Sequence, residues 1–290
     1  MTFKLSVFNA FTIRNLLINK MSLLTWYGIC LGSDKILEFD LDFKKIEYAG
    51  FRSWPAADQK ELNGVVLRSS NGFTKRANSA NVIEFQSERH DELVNNCEQY
   101  FFGKSLPCIF RIPSFVDNAS LDTYLKKSGY QSIDRSLVLY RKLSQTSFQY
   151  VKLIEKNTEE WINSYSQIGG IDAATQKLHL EMLNRISDKT LMAVLIEDDI
   201  EIACGLGVLS DNLFGLFDIG TLKPYRNQGY AAKLLNGMLS WAASHGATQS
   251  YLQVVANNAP AISLYRKLGY QDCYEYWYRI KQYDDARGSM

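Results

Sequence analysis

Apolar and polar positions change period several times along the chain, and each change marks an element. Val65-Val66-Leu67-Arg68 reads as a strand, Asn71-Gly72 as a hairpin turn, and Phe73 to Ile83 as the return strand. Helical spacing from Glu88 to Phe102 puts Leu93, Cys97, Tyr100 and Phe101 on one side. A strand at Pro107 to Ile112, a short helix at Asp117 to Ser128 stopped by Gly129, and a strand at Leu137 to Tyr140 complete this half. The polar stretch Ser144 to Phe148 has no period and predicts a linker.

Beyond it the pattern predicts a strand at Gln149 to Ile154 and helices around Glu159 to Ser166 and Ala173 to Ile186. Strands at Leu191 to Glu197, Ile200 to Leu209 and Leu213 to Leu222 are joined by Asp198-Asp199 and Asp211-Asn212, which reads as a three-stranded antiparallel meander. Gly229 to Ser244 is an amphipathic helix with Leu234, Leu235, Met238, Leu239 and Ala242 on one face. A strand at Ser250 to Val255, a helix at Ala259 to Leu268 and a strand at Cys273 to Ile280 follow.

At 290 residues the chain is long enough for two domains of ordinary size. The expected division is an N-terminal extension over 1–38, a first domain over 39–143, a linker over 144–148, a second domain over 149–281 and a tail over 282–290. The halves share a motif: Thr123-Tyr-Leu-Lys-Lys-Ser-Gly-Tyr-Gln131 matches Ser263-Leu-Tyr-Arg-Lys-Leu-Gly-Tyr-Gln271 at the second Lys, Gly, Tyr and Gln. Duplication is one reading; the other is that glycine-capped helices recur in unrelated folds. The extension holds two apolar runs, each short of the roughly 18 residues that span a bilayer. A secretory signal is the sharper reading of it, but Arg14 and Lys20 fall where an apolar centre belongs. A helical or loose extension is the plainer reading, and Met21 is an alternative start.

Composition narrows the function classes. Lys plus Arg is 32 and Asp plus Glu is 31, so the net charge of +1 provides no field for nucleic acid or an anionic membrane. The five cysteines are scattered and odd in number, which points to a reducing, cytoplasmic setting rather than a disulfide framework or a thiolate metal site. With three isolated histidines, no metal is expected.

The chemistry concentrates in Leu222-Lys-Pro-Tyr-Arg-Asn-Gln-Gly-Tyr-Ala-Ala-Lys233, where a strand leaves through Pro224 into a loop whose Gly229 opens a helix. Such a helix start offers orphan N–H groups and partial positive charge to a phosphate. A second motif, Asn258-x-x-Ala261-x-x-Leu264-Tyr265-x-x-x-Gly269-Tyr270, follows one strand later. Together with the order of elements, Arg226-x-x-Gly229-x-Ala231 and this run resemble the GNAT superfamily of acyl-CoA-dependent N-acyltransferases, over about Phe148 to Lys281. The first half, with Gly72-Phe-Thr-Lys-Arg-Ala-Asn-Ser79, resembles the degenerate N-terminal half of two-domain members. The fold implied is α/β (α+β): two GNAT-like domains, each a mixed, mostly antiparallel sheet flanked by helices.

The resemblance implies acetyl-CoA as co-substrate. Gly220, Thr221 and Leu222 would pair with its pantetheine arm, Asn227, Gln228, Gly229, Tyr230, Ala231 and Ala232 would cradle its pyrophosphate beside Arg226, and Asn258 would hold the pantetheine end or simply cap its helix. Tyr265 would protonate the departing thiolate; the plainer reading is a ring packed on the sheet. Many members carry Glu where this chain has Gln253, and an amide is no base. Asp218 is then the nearest carboxylate by sequence, either taking the amine proton through water or holding a neighbouring loop. The first half lacks any Gly from Glu84 to Phe102 and has Leu125 where the second has Tyr265, so it is expected not to bind the cofactor but to wall the acceptor cleft. The expected function is N-acetylation of a small amine or peptide N-terminus, with no nucleic-acid or membrane partner. A non-catalytic acyl-CoA sensor is the alternative. Acceptor identity and oligomeric state are not encoded legibly.

Overall fold

The computed structural model describes residues 42–84, 89–144 and 151–283. The expected extension over 1–38, nearly all of the linker (145–148) and nearly all of the tail (284–290) lie outside the described residues, as do Gln149 and Tyr150 of the expected strand.

The first half begins with α1 (Phe43–Ser53), then β1 (Asp58–Leu62), β2 (Val65–Ser69) and β3 (Ser79–Val82), α2 (His90–Phe102), β4 (Cys108–Pro113), α3 (Ala119–Lys127) and β5 (Gln131–Lys142). The second half runs β6 (Ile154–Glu155), α4 (Thr158–Gly169), α5 (Ala173–Leu183), the meander β7 (Lys189–Glu197), β8 (Ile200–Ser210) and β9 (Leu213–Thr221), then α6 (Tyr230–Ser244), β10 (Gln249–Val255), α7 (Ala259–Lys267) and β11 (Gln271–Lys281). Helix α1 and strand β1 have no counterpart in the sequence reading. The expected return strand from Phe73 shrinks to β3, because Thr74 turns left-handed (φ 55) into a short 3-10 turn over Lys75–Ala77. Asn71 and Gly72, with φ of 48 and 76, form a β-turn closed by Phe73 N donating to Ser70 O at 2.9 Å, but the β2–β3 connection runs over 70–78, so they are not the two-residue hairpin expected.

The eleven strands among the described residues join in one sheet, ordered β1-β2-β3-β4-β11-β5-β10-β9-β8-β7-β6. The last strand of each half has crossed to the other: β5 lies between β11 and β10, and β11 lies between β4 and β5. The two exchanged strands pair symmetrically, Gln271 opposite Tyr140 and Ile280 opposite Gln131. Arg135 and Glu275, 140 positions apart, form an ion pair across this seam. Because the exchange stitches the halves through backbone ladders, the cleft walls below are set by one rigid sheet rather than by a linker.

The core has two main parts. Leu234, Leu235, Met238 and Leu239 of α6 pack on Leu191, Ala193, Phe214 and Leu252, while Leu93, Cys97 and Phe101 of α2 with Leu121 and Leu125 of α3 pack on Val65, Leu67 and Phe110. Each fully buried Leu or Phe contributes about 1.5–3 kcal/mol. Among the described residues no helix is long and apolar enough to cross a membrane.

Candidate functional site

Strands β9 and β10 run parallel but pair only from Leu213 opposite Gln249 to Leu216 opposite Leu252. Past those residues the ladder stops, and Phe217 to Thr221 part from Gln253 to Val255. A bulge causes the divergence on the β9 side: Phe217 pairs with Leu206 and Gly220 with Cys204, so Asp218 and Ile219 face Gly205 alone. Asp218 sits in the bulge at φ 51, a left-handed conformation Asp tolerates better than most residues, and its carboxylate turns into the opening.

After Thr221 the chain makes a 3-10 turn at Lys223–Tyr225, passes Asn227 at φ 62 and Gly229 at φ 86, and enters α6. Arg226 Nε donates to the Thr221 carbonyl (3.0 Å) and Gln228 Nε2 to the Pro224 carbonyl (2.9 Å), which braces the loop. No side chain caps α6, its first turn carries no acid, and nothing stands within 4 Å of where a Gly229 Cβ would be. Within the protein, the glycine is therefore required by its positive φ rather than by crowding. The N–H groups of Tyr230, Ala231 and Ala232 are left facing an open, exposed loop, which fits the pyrophosphate of a CoA co-substrate. Gly220 is tight: a Cβ there would meet Ile168 Cγ2 at 3.2 Å. Thr221 and Leu222 are half-buried at the rim.

At the opening lies a cleft of about 450 Å³. The second half contributes Asp218, Gln253, Tyr165 of α4 and His179 of α5, positioned because Asn157 and Asp172 cap those two helices at Glu160 N (2.9 Å) and Thr175 N (3.0 Å). The first half contributes Trp54, Phe73 and Arg76, and the exchanged strand β11 contributes Tyr276 and Tyr278. His179 Nε2 and Asp218 Oδ2 are 3.1 Å apart but out of line for a hydrogen bond, so both atoms are buried without a hydrogen-bonding partner. Rings of Trp54 (5.3 Å), Phe73 (5.5 Å) and Tyr165 (5.2 Å) surround the imidazole. Burial, and then the Asp218 carboxylate, raise the Tyr165 phenol above its ordinary pKa.

Gln253 lies on the cleft wall, but its Oε1 accepts from the Tyr276 hydroxyl at 2.9 Å. Tyr265 does not line the cleft. It is 9% exposed within the α6–α7 core, its ring edge-on to Tyr270 at 6.1 Å, and burial pushes its phenol up to about 12. Asn258 is exposed and caps α7, accepting from Ala261 N at 3.3 Å. The structure thus gathers the loop and α6 residues at one end of the opening and Asp218 at the other, while Tyr265 stays in the neighbouring core. Sequence reasoning missed Trp54, Arg76, Tyr165 and His179. They are distant in sequence and meet only in three dimensions, and His179 stood out in the sequence only as an isolated histidine.

Residues 41–279 match the family described as "Probable histone acetyltransferase Rv0428c C-terminal". The chain belongs to that family. It is an acetyltransferase of the GNAT type, as the two sequence motifs suggested. An "Uncharacterized N-acetyltransferase YobR" from Bacillus subtilis (strain 168) is 28% identical over 249 residues, covering 83% of this chain and 99% of the relative. Two solved structures share the fold. A GCN5-related N-acetyltransferase from Kribbella flavida aligns with TM-score 0.62 at 15% identity, over 82% of this chain and 95% of that one. A tandem GNAT protein from the clavulanic acid biosynthesis pathway aligns with TM-score 0.60 at 10% identity, over 83% and 88%.

Proposed function

We propose that the chain transfers an acetyl group from acetyl-CoA to the primary amine of a small acceptor or peptide N-terminus by direct attack, with both substrates bound together. The observation that carries this reading is the parting of β9 from β10 between the uncapped start of α6 and the Asp218 carboxylate. Asn227 to Ala232 hold the pyrophosphate through backbone N–H groups, and the free edge at Gly220, Thr221 and Leu222 pairs with the pantetheine arm. Asp218, with His179 beside it, accepts the proton released as the amine nitrogen bonds to the thioester carbonyl carbon. The carbon–sulfur bond breaks, and Tyr265 returns a proton to the thiolate. Gln253 takes no proton, its amide being tied to Tyr276.

The test is release of free thiol from acetyl-CoA against a panel of amines. Tyr265→Phe should lower turnover by about 100- to 10,000-fold while CoA affinity holds, because only the hydroxyl is removed. Since burial pushes that phenol up to about 12, wild-type turnover should not fall through loss of this proton until the pH approaches that value. Near-normal turnover in the variant would remove Tyr265 from the mechanism. Tight CoA binding without thiol release from any amine would replace the enzyme reading with that of an acyl-CoA sensor.

A further inference from the structure

Among the described residues, one cation that lines the cleft, Arg76, has no carboxylate paired with it. Arg76 stands on the 3-10 turn of the first half, over the Trp54 ring at 5.0 Å and the Phe217 ring at 5.7 Å. Its Nε is buried without a hydrogen bond, and among the described residues no carboxylate pairs with it, although its neighbour Lys75 is paired with Asp134 at 2.7 Å. A guanidinium has five donors and no acceptor, so leaving it unsatisfied in a cleft is costly unless an anion arrives.

The turn that presents it is built, not incidental. Thr74 is held in its left-handed conformation with Oγ1 accepting from Trp54 Nε1 at 3.0 Å. Asn78 ties the turn from inside, accepting from Ser70 N (2.7 Å) and donating to Phe73 O (2.7 Å) and Thr74 O (2.8 Å). Buried Arg68 donates through Nη1 to the Arg76 carbonyl at 2.8 Å. Backbone bonds therefore fix Arg76 and leave its head group for something else.

We propose that Arg76 reads a carboxylate on the acceptor, and that the acceptor is a free amino acid whose amine attacks in its neutral form. This rests on the acetyltransferase reading above and narrows its substrate class. The amine-facing pair His179–Asp218 and the anion-facing Arg76 adjoin the same indole: His179 lies 5.3 Å from the Trp54 ring, and Asp218 follows Phe217, whose ring is 5.9 Å from it. Opposite charges lining one cleft suit an acceptor that carries both an amine and a carboxylate. The aromatic walls at Trp54 and Phe73 favour an apolar or flat side chain, while a polycationic tail would meet Arg76 as a like charge.

The experiment measures kcat/KM for acetylation of the standard amino acids and of their carboxamides by the full chain. The best acid should exceed its own carboxamide by about 10- to 100-fold, the worth of a charge-assisted contact. Arg76→Met should bring that ratio close to one, mainly through KM of the acid, and Arg76→Lys should keep part of it. The wild-type ratio needs no variant, so a folding defect cannot hide the answer. If amides or peptides are acetylated as well as free acids, the inference is wrong and the acetyltransferase reading stands. If no amine of any kind releases thiol, that reading fails and the inference with it.

Discussion

The halves of this chain carry corresponding elements and opposite fates. Corresponding strands meet corresponding partners: Gln253 on β10 lies opposite Val138, and Arg111 on β4 lies opposite Tyr278. In the second half, the region past the last β9–β10 pair opens into the cleft. In the first half, the region past Asn81 opposite Arg111 is plugged. Arg111 pairs with Glu47 of α1, both essentially buried, and its guanidinium covers the Tyr276 ring at 3.6 Å while Tyr274 donates to the same Glu47. Burial alone would lower the Arg111 pKa, but Glu47 and the surrounding tyrosines raise it. The helix starts differ likewise: α6 opens from an αL glycine with no acid, whereas α2 carries Asp91 and Glu92 in its first turn, which repel a phosphate. On the proposed reading, one architecture gives a site or a wall according to what fills the strand gap and what stands at the helix start.

The largest expected effect tests the plug. Glu47→Ala leaves Arg111 buried without its carboxylate, and such a loss costs about 3–5 kcal/mol. Gln253→Ala, at the corresponding place on β10, removes one hydrogen bond from a half-buried amide and should cost about 1 kcal/mol. Urea unfolding of both variants measures the contrast; equal costs would mean that the first-half gap is not closed by charge.

Next comes the cofactor asymmetry. Calorimetric titration of CoA should show one site per chain, with a stoichiometry of two refuting the wall. Gly229→Val places a β-branched residue at φ 86 and should weaken CoA on the order of 100-fold, about 2.7 kcal/mol, by forcing the loop and its N–H groups to move. Because open space surrounds that position, the fold should survive, which unfolding curves would verify.

How far the sequence could carry this comparison depends on how local each feature is. The meander, α6 and its loop are written in short-range periodicity and turn residues, and the structure places them within a residue or two of the expected bounds. Helix α1 is amphipathic but was not read from the sequence: its buried face carries Glu47 and Ser53 beside Ile46, Ala49 and Phe51. Arg76 was hidden inside what reads as a strand until Thr74 breaks it. The strand exchange has no local signature, since β5 and β11 are each ordinary strands and only their partners are unusual. The cleft inherits that invisibility: its residues come from positions 54 to 278 and meet through the fused sheet.

The smallest expected effect separates backbone from side chain at the phosphate loop. Arg226 Nε is spent on the Thr221 carbonyl, so its guanidinium braces the loop and has only its remaining donors for a phosphate. Arg226→Ala should therefore weaken CoA by about 5- to 30-fold, or 1–2 kcal/mol, and part of that loss should be loop bracing rather than charge. Salt dependence distinguishes the two, because a direct phosphate contact is screened and a brace to a carbonyl is not. If the variant loses affinity equally at low and high salt, Arg226 acts as a brace. If Arg226→Ala proves more damaging than Gly229→Val, the anion is held by the side chain, and the contrast between an αL glycine in one half and acids in the other no longer predicts that only one half binds.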